Sequence, residues 1–405
     1  MKIDSIQVHN LRFEYPNAHG FAYAGGVCTA RVTSIIEVRT DDGQVGIGAA
    51  YSHPGLVHMV AKTQMEPHLI GRDASDVEGL WDLMYGLTRW YGRKGAAISA
   101  IGAIETALWD LRGKAQGKPV WKLLGGDKNH CPAYASGLLW YQQNELEKLA
   151  SEAQSHLAAG FKRMKMRLAR GEEADIAAVR AVRAAIGDRA DLIVDASMQL
   201  DVPTARRLAR VLKEENVFWF EEPFMPEDLS SYAELRGTIE VPLAAGENEF
   251  GVQGFSEVIA RGAVDIVQPD ASRCGGIGET FRVGEMAAQK NLRVATHTWS
   301  DAIAVTANAH VVAALPNGLT VEVDRTGNPF ITELLIEPLN VVNGELQLGD
   351  APGLGIEINR AALEKYRMTD PLEMPDGNYS DMVFGAQHLH IAPPYKTIDR
   401  KGAEA

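Results

Sequence analysis

The sequence is poor in cysteine and carries no excess of positive charge. Its 405 residues include only three cysteines, Cys28, Cys131 and Cys274, and their spacing matches neither a disulfide framework nor a cysteine-ligated zinc site. The 40 lysines and arginines are outnumbered by 53 aspartates and glutamates, which gives a formal net charge of −13. No basic run offsets this balance, so we predict no nucleic-acid partner.

Long hydrophobic runs are missing as well. No apolar stretch approaches the ~20 residues needed to cross a bilayer. Residues 1–6 alternate as a strand does and lack the apolar core of a signal peptide. We therefore predict a cytoplasmic protein with no membrane partner. At ~100–200 residues per domain, the length predicts two or three domains, or one large barrel with an extra domain.

Residues 1–128 predict a small α+β domain. Residues 1–50 are patterned as strands, with a hairpin signal at Asp41-Asp42-Gly43. Apolar residues then recur at helical spacing through residues 57–118. The aromatic, glycine-rich segment 15–26 is as typical of a loop that covers a site as of an ordinary connection.

From residue 145 onward, predicted helices and strands alternate. The strand candidates are residues 161–168, 192–194, 217–220, 241–245, 264–267, 292–296 and 319–323. One amphipathic segment of helical length separates each neighbouring pair, which indicates a parallel sheet with its helices outside. Seven or so such units fit a closed barrel better than an open sheet. We therefore predict an α/β fold with a TIM-like β/α barrel and an amino-terminal α+β domain.

Ionisable residues stand at the carboxyl ends of the predicted strands. They are Lys165, Arg167, Asp195, Glu221, Glu247, Asp270, His297 and Glu322. From Asp195 onward, successive members are 26, 26, 23, 27 and 25 residues apart, which is the length of one β/α unit. The carboxyl ends of all strands of a β/α barrel lie on the face where active sites are built, so we expect these side chains to converge.

Asp195, Glu221 and Glu247 occupy three successive strand ends. Three carboxylates held together repel one another unless a cation lies between them. Oxygen ligation of this kind suits Mg²⁺, with Mn²⁺ as the alternative. One such residue alone is more typical of a loop acid or a helix cap, but three in register favour a metal site.

Asp270 and His297 lie on adjacent strand ends and predict an acid/base pair. A carboxylate beside an imidazole fixes its tautomer and raises its pKa. Glu322 ends the following strand. We expect it to hydrogen-bond a developing oxyanion when protonated, or to position a hydroxyl; an ordinary loop acid is equally typical of the pattern.

Lys165 and Arg167 are two residues apart on a strand, so both are expected to point into the site. Beside an arginine and a dication, the lysine should have a lowered pKa and be able to act as a base. The arginine stays protonated and suits a carboxylate partner. A salt-bridged pair at the strand end is the alternative.

Together these residues resemble the enolase superfamily, in particular its mandelate racemase subgroup. The matching stretches are Lys165-Met166-Arg167, Val194-Asp195-Ala196, Glu221-Glu222-Pro223, Ala245-Gly246-Glu247-Asn248, Gln268-Pro269-Asp270, Thr296-His297 and Val321-Glu322. The resemblance spans nearly the whole chain. It implies a capping domain over residues 1–128, a barrel over residues 129–340, and a carboxyl-terminal segment, residues 341–405, that returns to the capping domain.

The resemblance also implies chemistry. It implies Mg²⁺ held by Asp195, Glu221 and Glu247, the histidine–aspartate pair as acid/base, Glu322 near the substrate carboxylate, and a homo-oligomer. Residues 324–330 and 352–357 are similar to those of members that act on acid sugars and their lactones. The implied partner is therefore a small-molecule sugar acid.

Two positions depart from the family pattern. The second strand usually carries Lys-x-Lys with the second lysine as a base, and this chain has Arg167 there. Ser197 stands where asparagine is usual. Racemisation needs a base on each face of the α-carbon, so the arginine weakens a racemase interpretation. Dehydration needs one base: His297 takes the α-proton, and an acid assists departure of the β-hydroxyl.

We therefore predict a lyase, an acid-sugar dehydratase that forms a 2-keto-3-deoxy acid through an enediolate. One alternative is an isomerase, either a racemase or epimerase or a lactone cycloisomerase. A more distant alternative is a non-catalytic barrel that binds a sugar acid. The candidate substrate-binding residues are His19, Tyr23, Ser197 and Trp90.

Overall fold

The computed structural model describes residues 1–16, 21–23, 26–140 and 145–369. Its amino-terminal strands are β1 (Ile3–Glu14), β2 (Phe21–Tyr23), β3 (Gly26–Cys28), β4 (Ala30–Thr40) and β5 (Val45–Ala50). β1, β4 and β5 form an antiparallel sheet in that order, and β2 and β3 form a separate hairpin. The predicted turn after β4 is confirmed, with Gly43 at a φ of 84°.

Helices cover one face of this sheet. They are α1 (Pro54–Met59), a π-helical turn (Val60–Met65), α2 (Glu66–Leu69), α3 (Val77–Thr88), α4 (Ala96–Gln116) and α5 (Val120–Leu123). The long α4 lies very close to β5 because Gly46 has no side chain. A Cβ there would lie 2.0 Å from the carbonyl oxygen of Ala107. The predicted order of strands followed by helices is confirmed.

The rest of the chain forms a closed barrel of eight parallel strands. In chain order the elements are β6 (His130–Ser136), α6 (Glu145–Ala158), β7 (Arg163–Arg167), α7 (Glu172–Ile186), β8 (Asp191–Asp195), α8 (Val202–Glu214), β9 (Val217–Glu221), α9 (Leu229–Arg236), β10 (Leu243–Ala245), α10 (Gly251–Ala260), β11 (Ile266–Val267), α11 (Ala271–Cys274), α12 (Ile277–Ala288), β12 (Arg293–Thr296), α13 (Ala302–Ala314) and β13 (Gly318–Asp324). β13 pairs with β6 and closes the sheet, so the predicted barrel is confirmed.

The first barrel strand, β6, was not among the predicted strands. Its sequence, HCPAYAS, contains no β-branched residue, so it carries little local strand signal. It is a strand because Ala133–Ser136 pair with β13 on one side, and Ala135 and Ser136 pair with β7 on the other. Inside the barrel, Tyr134 and Trp219 pack edge to face at 5.5 Å beneath the carboxyl-terminal face.

The last elements contact both parts of the molecule. They are α14 (Pro329–Thr332), β14 (Val341–Val342), β15 (Glu345–Gln347) and α15 (Arg360–Tyr366). β15 pairs with β6 of the barrel. Beyond α15, the backbone N–H of Met368 donates to the carbonyl oxygen of Asn10 in β1 at 2.9 Å. The domain boundaries at residues 128 and 340 stay predictions, and residues 370–405 lie outside the described residues.

The sheet and the hairpin lie over the carboxyl ends of the barrel strands. From β4, the Arg31 guanidinium pairs with Asp324 of β13 at 2.9 Å, and the Thr33 hydroxyl donates to Asp301 at 2.7 Å. Beyond β6, the backbone N–H of Trp140 donates to the carbonyl oxygen of Ala22 in β2 at 2.9 Å. The described part of segment 15–26 therefore covers the end of the barrel where the ionisable residues were predicted to converge.

No helix among the described residues has the length and apolarity needed to span a bilayer.

Candidate active site

The three predicted metal-binding carboxylates come together. Asp195 and Glu221 are paired across β8 and β9, and Glu247 follows β10 by two residues. One oxygen from each lies within 4.8 Å of the other two. Asp195 and Glu221 are buried and Glu247 is partly buried. This convergence follows from strand register alone, because parallel neighbours end at one level.

Local contacts orient each carboxylate. Asp195 accepts a hydrogen bond from the Ser197 N–H at 2.7 Å, and Glu221 accepts one from the Trp219 indole N–H at 2.9 Å. The buried Oε2 of Glu247 has no hydrogen-bond partner among the described residues. Three converging carboxylate oxygens, one of them without a hydrogen-bond partner among the described residues, fit a magnesium ion.

Lys165 lies in the middle of these acids. Its Nζ is 2.5 Å from Glu221 Oε1, 2.9 Å from Glu322 Oε1 and 3.6 Å from Asp195 Oδ2. Burial opposes its charge, but Glu221 and Glu322 outweigh burial and hold the pKa of Lys165 above its ordinary value. The acids around the amine outnumber the cations, which explains this direction. The predicted lowering was for a lysine beside a bound dication, and it stays a prediction.

Arg167 is buried beside Lys165, with 7% of its surface exposed. Its guanidinium forms an ion pair with Asp195 and lies 5.1 Å from the centre of the Trp299 ring. Both β7 side chains therefore point into the site, as predicted. That Arg167 binds a substrate carboxylate stays a prediction.

His297 and Asp270 form the predicted pair. His297 Nδ1 lies 2.8 Å from Asp270 Oδ2, and Asp270 Oδ1 accepts from the Ser272 hydroxyl at 2.7 Å and the Asn308 amide at 2.9 Å. Burial opposes a charge on His297, yet Glu247 and Asp270 hold its pKa above the ordinary value. Its Nε2 faces the cluster, 3.6 Å from Glu247 Oε2.

Glu322 is fully buried on the other side of the cluster. It accepts a hydrogen bond from the Thr298 N–H at 3.0 Å. Burial acts to raise its pKa, but Lys165 and His297 overcome this effect and lower the pKa of Glu322 to about 2. The lowered pKa works against a protonated Glu322, and a hydrogen bond from this carboxyl to a developing oxyanion stays a prediction. Its alternative role, positioning a hydroxyl, stays a prediction.

The predicted substrate-binding residues are more scattered. Ser197 is buried beside Asp195, at a φ of 48°. The backbone of Tyr23 pairs with Gly26 in the covering hairpin, and His19 lies outside the described residues. Trp90 follows the end of α3, is 85% exposed, and has Arg89 against its ring. The structure therefore does not place Trp90 among the buried residues of the site.

Two aromatic residues of the site were absent from the predictions. The Tyr51 ring, just past β5, lies 5.5 Å from the His297 ring. Trp299 follows His297 by two residues and contacts the Arg167 guanidinium. Proximity to His297 along the chain was an available signal for Trp299. Nothing in the local sequence connects Tyr51 to a barrel residue 246 positions away.

Two family models together match most of the chain. One, described as "Enolase C-terminal domain-like", matches residues 148–362. The other, described as "Mandelate racemase / muconate lactonizing enzyme, N-terminal domain", matches residues 10–125. The chain belongs to the mandelate racemase subgroup of the enolase superfamily. The resemblance drawn from the strand-end residues is thereby confirmed.

Relatives of this superfamily member carry out more than one reaction. D-galactarolactone cycloisomerase of Agrobacterium fabrum is 35% identical over 385 residues, which are 92% of this chain and 100% of the relative. Arabinonate dehydratase of Saccharolobus solfataricus is 35% identical over 370 residues, which are 90% of this chain and 99% of the relative. The chain is therefore an enzyme of a group that includes acid-sugar dehydratases and cycloisomerases.

A solved structure of similar fold contains the predicted metal. The L-talarate dehydratase of a Polaromonas species, complexed with Mg and L-glucarate, has a TM-score of 0.79 and 28% identity. The match covers 91% of this chain and 97% of that one. Mg²⁺ is thus a cofactor of this superfamily, and Asp195, Glu221 and Glu247 can hold it.

Proposed function

We propose that this enzyme removes the proton α to the carboxylate of an acid sugar and expels the β-hydroxyl, forming a 2-keto-3-deoxy acid. The observation that supports this reaction is the pairing of one oriented imidazole with one arginine. His297 is 2.8 Å from Asp270, and the β7 position that would supply a second base holds Arg167. A guanidinium stays protonated and takes no proton from the opposite face. Elimination needs only one base, whereas racemisation needs two.

His297 is the group that moves the proton. Because Nδ1 donates to Asp270, the lone pair on Nε2 faces the carboxylate cluster, 3.6 Å from Glu247 and 3.9 Å from Glu322. Nε2 takes the α-proton, and the imidazolium then gives a proton to the departing β-hydroxyl. The C–H and C–O bonds break, water leaves, and the enol becomes the 2-keto acid.

The remaining ionisable groups stabilise charge. Asp195, Glu221 and Glu247 would hold Mg²⁺, which would supply positive charge to the enediolate oxygens. Lys165 adds a second fixed cation at the same place, and its contacts with Glu221 and Glu322 hold it there. Arg167 would orient the substrate carboxylate with its planar set of donors.

Lactone cycloisomerisation is the second candidate. It is supported by the 35% identity with a cycloisomerase along that relative's whole length. The same single base serves this reaction, because ring opening also follows removal of one α-proton. The two reactions differ in their product: a dehydratase releases water, whereas a cycloisomerase keeps the molecular formula.

Proton NMR in deuterium oxide separates these candidates. We propose a screen of mono- and diacid sugars and their lactones with Mg²⁺. A 2-keto-3-deoxy product supports dehydration, and an opened lactone of unchanged formula supports cycloisomerisation. Exchange of the α-proton with inversion as the only change would contradict the one-base proposal. Tight binding of a sugar acid without turnover of any compound would instead indicate a non-catalytic barrel.

A further inference from the structure

Trp299 lies in the loop after β12 and has no role in the reaction described above. Only 3% of its surface is exposed. Two guanidinium groups lie against its indole ring, that of Arg167 at 5.1 Å and that of Arg31 at 4.9 Å from the ring centre. Both contacts have the geometry of cation–π interactions, which are stronger between buried groups than at exposed sites.

We propose that Trp299 is a positioning residue that holds Arg167 against Asp195, and that the sheet and hairpin covering the barrel hold Trp299. The inference rests on the proposed function for the importance of Arg167. In this role the indole links the covering layer to a carboxylate of the candidate metal site.

The barrel side of this link consists of two contacts. The Arg167 guanidinium lies against the Trp299 ring and forms an ion pair with Asp195. Glu322 and the other buried acids nearby offer alternative partners for a long, rotatable side chain. A cation lying on an aromatic face has few remaining orientations, so the indole favours the pairing with Asp195.

Residues of the amino-terminal sheet and of the β2–β3 hairpin contact Trp299 from the other direction. Arg31 of β4 donates to the carbonyl oxygen of Trp299 and pairs with Asp324 at 2.9 Å. Phe21 of the β2–β3 hairpin packs edge-on against the indole, with ring centres 6.1 Å apart. The indole therefore depends on both layers for its position, and a shift of the hairpin would reach Asp195 through Trp299 and Arg167.

A double-mutant cycle tests the link without using the reaction. We would measure the Mn²⁺ dissociation constant by calorimetry for the wild type, Trp299→Leu, Arg167→Met and the double variant. Removing a residue that orients a metal ligand typically lowers metal affinity about 10–100-fold. Trp299 acts on the ligand Asp195 through Arg167, so its effect should be smaller. We expect Trp299→Leu to weaken Mn²⁺ binding about three- to tenfold, and to have less than about a twofold effect when Arg167 is already methionine.

Equal weakening in both backgrounds would overturn the proposal, because the indole would then act without Arg167. No weakening, or a tightening, when Trp299→Leu is made in the wild type would overturn it as well. Trp299→Phe keeps an aromatic face and should lose less affinity for Mn²⁺. If the leucine variant does not fold, the double-mutant cycle is measured with Trp299→Phe in its place. Trp140→Leu is the control, because the guanidinium against that indole is Arg170, at 5.6 Å, and the indole N–H donates to the carbonyl oxygen of Leu168 at 3.1 Å.

Kinetics form a second, separate arm. With an acid sugar that the enzyme turns over, Trp299→Leu should raise KM more than it lowers kcat, because Arg167 is assigned to the substrate carboxylate. If no sugar acid is turned over, the proposed function fails, yet the metal-binding cycle still decides the role of Trp299.

Discussion

Glu221 is held from two sides at the centre of the site. Lys165 lies 2.5 Å from one oxygen, and the Trp219 indole donates to the other. Glu221→Gln keeps the acceptor for Trp219 but removes the charge that would bind a dication. We expect metal affinity to fall on the order of 10²-fold, and activity to fall with it. Calorimetric titration with Mg²⁺ measures the first effect. Full activity of the wild type in excess chelator would contradict the metal assignment.

His297 is the residue on which the one-base proposal depends. His297→Asn preserves the approximate shape of the side chain and removes proton transfer, so turnover should fall by ~10²–10⁴-fold or more. Exchange of the α-proton with deuterium is the sharper measurement, because it reports proton removal without product formation. Retained exchange in this variant would identify Lys165 as the working base; loss of both exchange and turnover supports His297.

At the scale of elements, the approach of α4 to β5 depends on one glycine. A Cβ on Gly46 would lie 2.0 Å from a backbone oxygen of α4, and the backbone cannot give way as a flexible side chain can. Gly46→Ala should therefore lower the free energy of unfolding by about 1–3 kcal/mol or more. Chemical denaturation of the variant and the wild type measures this difference.

Gly86 in α3 provides the matched control for the Gly46→Ala variant. An added Cβ there meets nothing within 4 Å, and alanine favours the helix over glycine. Gly86→Ala should raise the free energy of unfolding by about 0.5–1 kcal/mol. A similar loss of stability in both alanine variants would show that close packing of α4 on β5 is not the cause at Gly46.

At the scale of the whole molecule, Glu105 connects helix α4, which packs on the amino-terminal sheet, to helix α12 of the barrel. From α4, it accepts hydrogen bonds from the Trp109 indole and from the Gly278 N–H at the start of α12, each at 2.8 Å. Burial raises the pKa of this carboxyl to about 8, and Arg282 opposes that rise only in part. The folded protein thus binds this proton more tightly than the unfolded chain does.

The sign of the pH dependence follows from that difference. Stability from the raised pKa of Glu105 is fully present below the unfolded value of about 4.5 and is lost as pH rises toward about 8. Glu105→Gln keeps the acceptor and carries no charge. The variant should therefore become more stable than the wild type by a few kcal/mol between pH 5 and 8, at about 1.4 kcal/mol per pKa unit. Parallel stability curves across this range would exclude a raised pKa.

The sequence by itself determined the barrel and the positions of its ionisable residues. The two-residue period of strands and the length of one β/α unit are local properties, and Asp195, Glu221 and Glu247 follow from them at a regular interval. The same regularity brought His297 beside Asp270, since adjacent parallel strands end at one level. Strand β6 was not predicted from the sequence, because it forms through pairing with β13 and β7 and its own residues carry little strand signal.

Only the tertiary structure decided how the covering layer meets the site. The contacts of Tyr51 with His297 and of Arg31 with Trp299 join residues more than 240 positions apart, and no local period records such pairs. It also decided the direction of the pKa of Lys165, because that direction depends on how many acids surround one buried amine. Trp90, expected at the site, follows the end of α3 and is exposed.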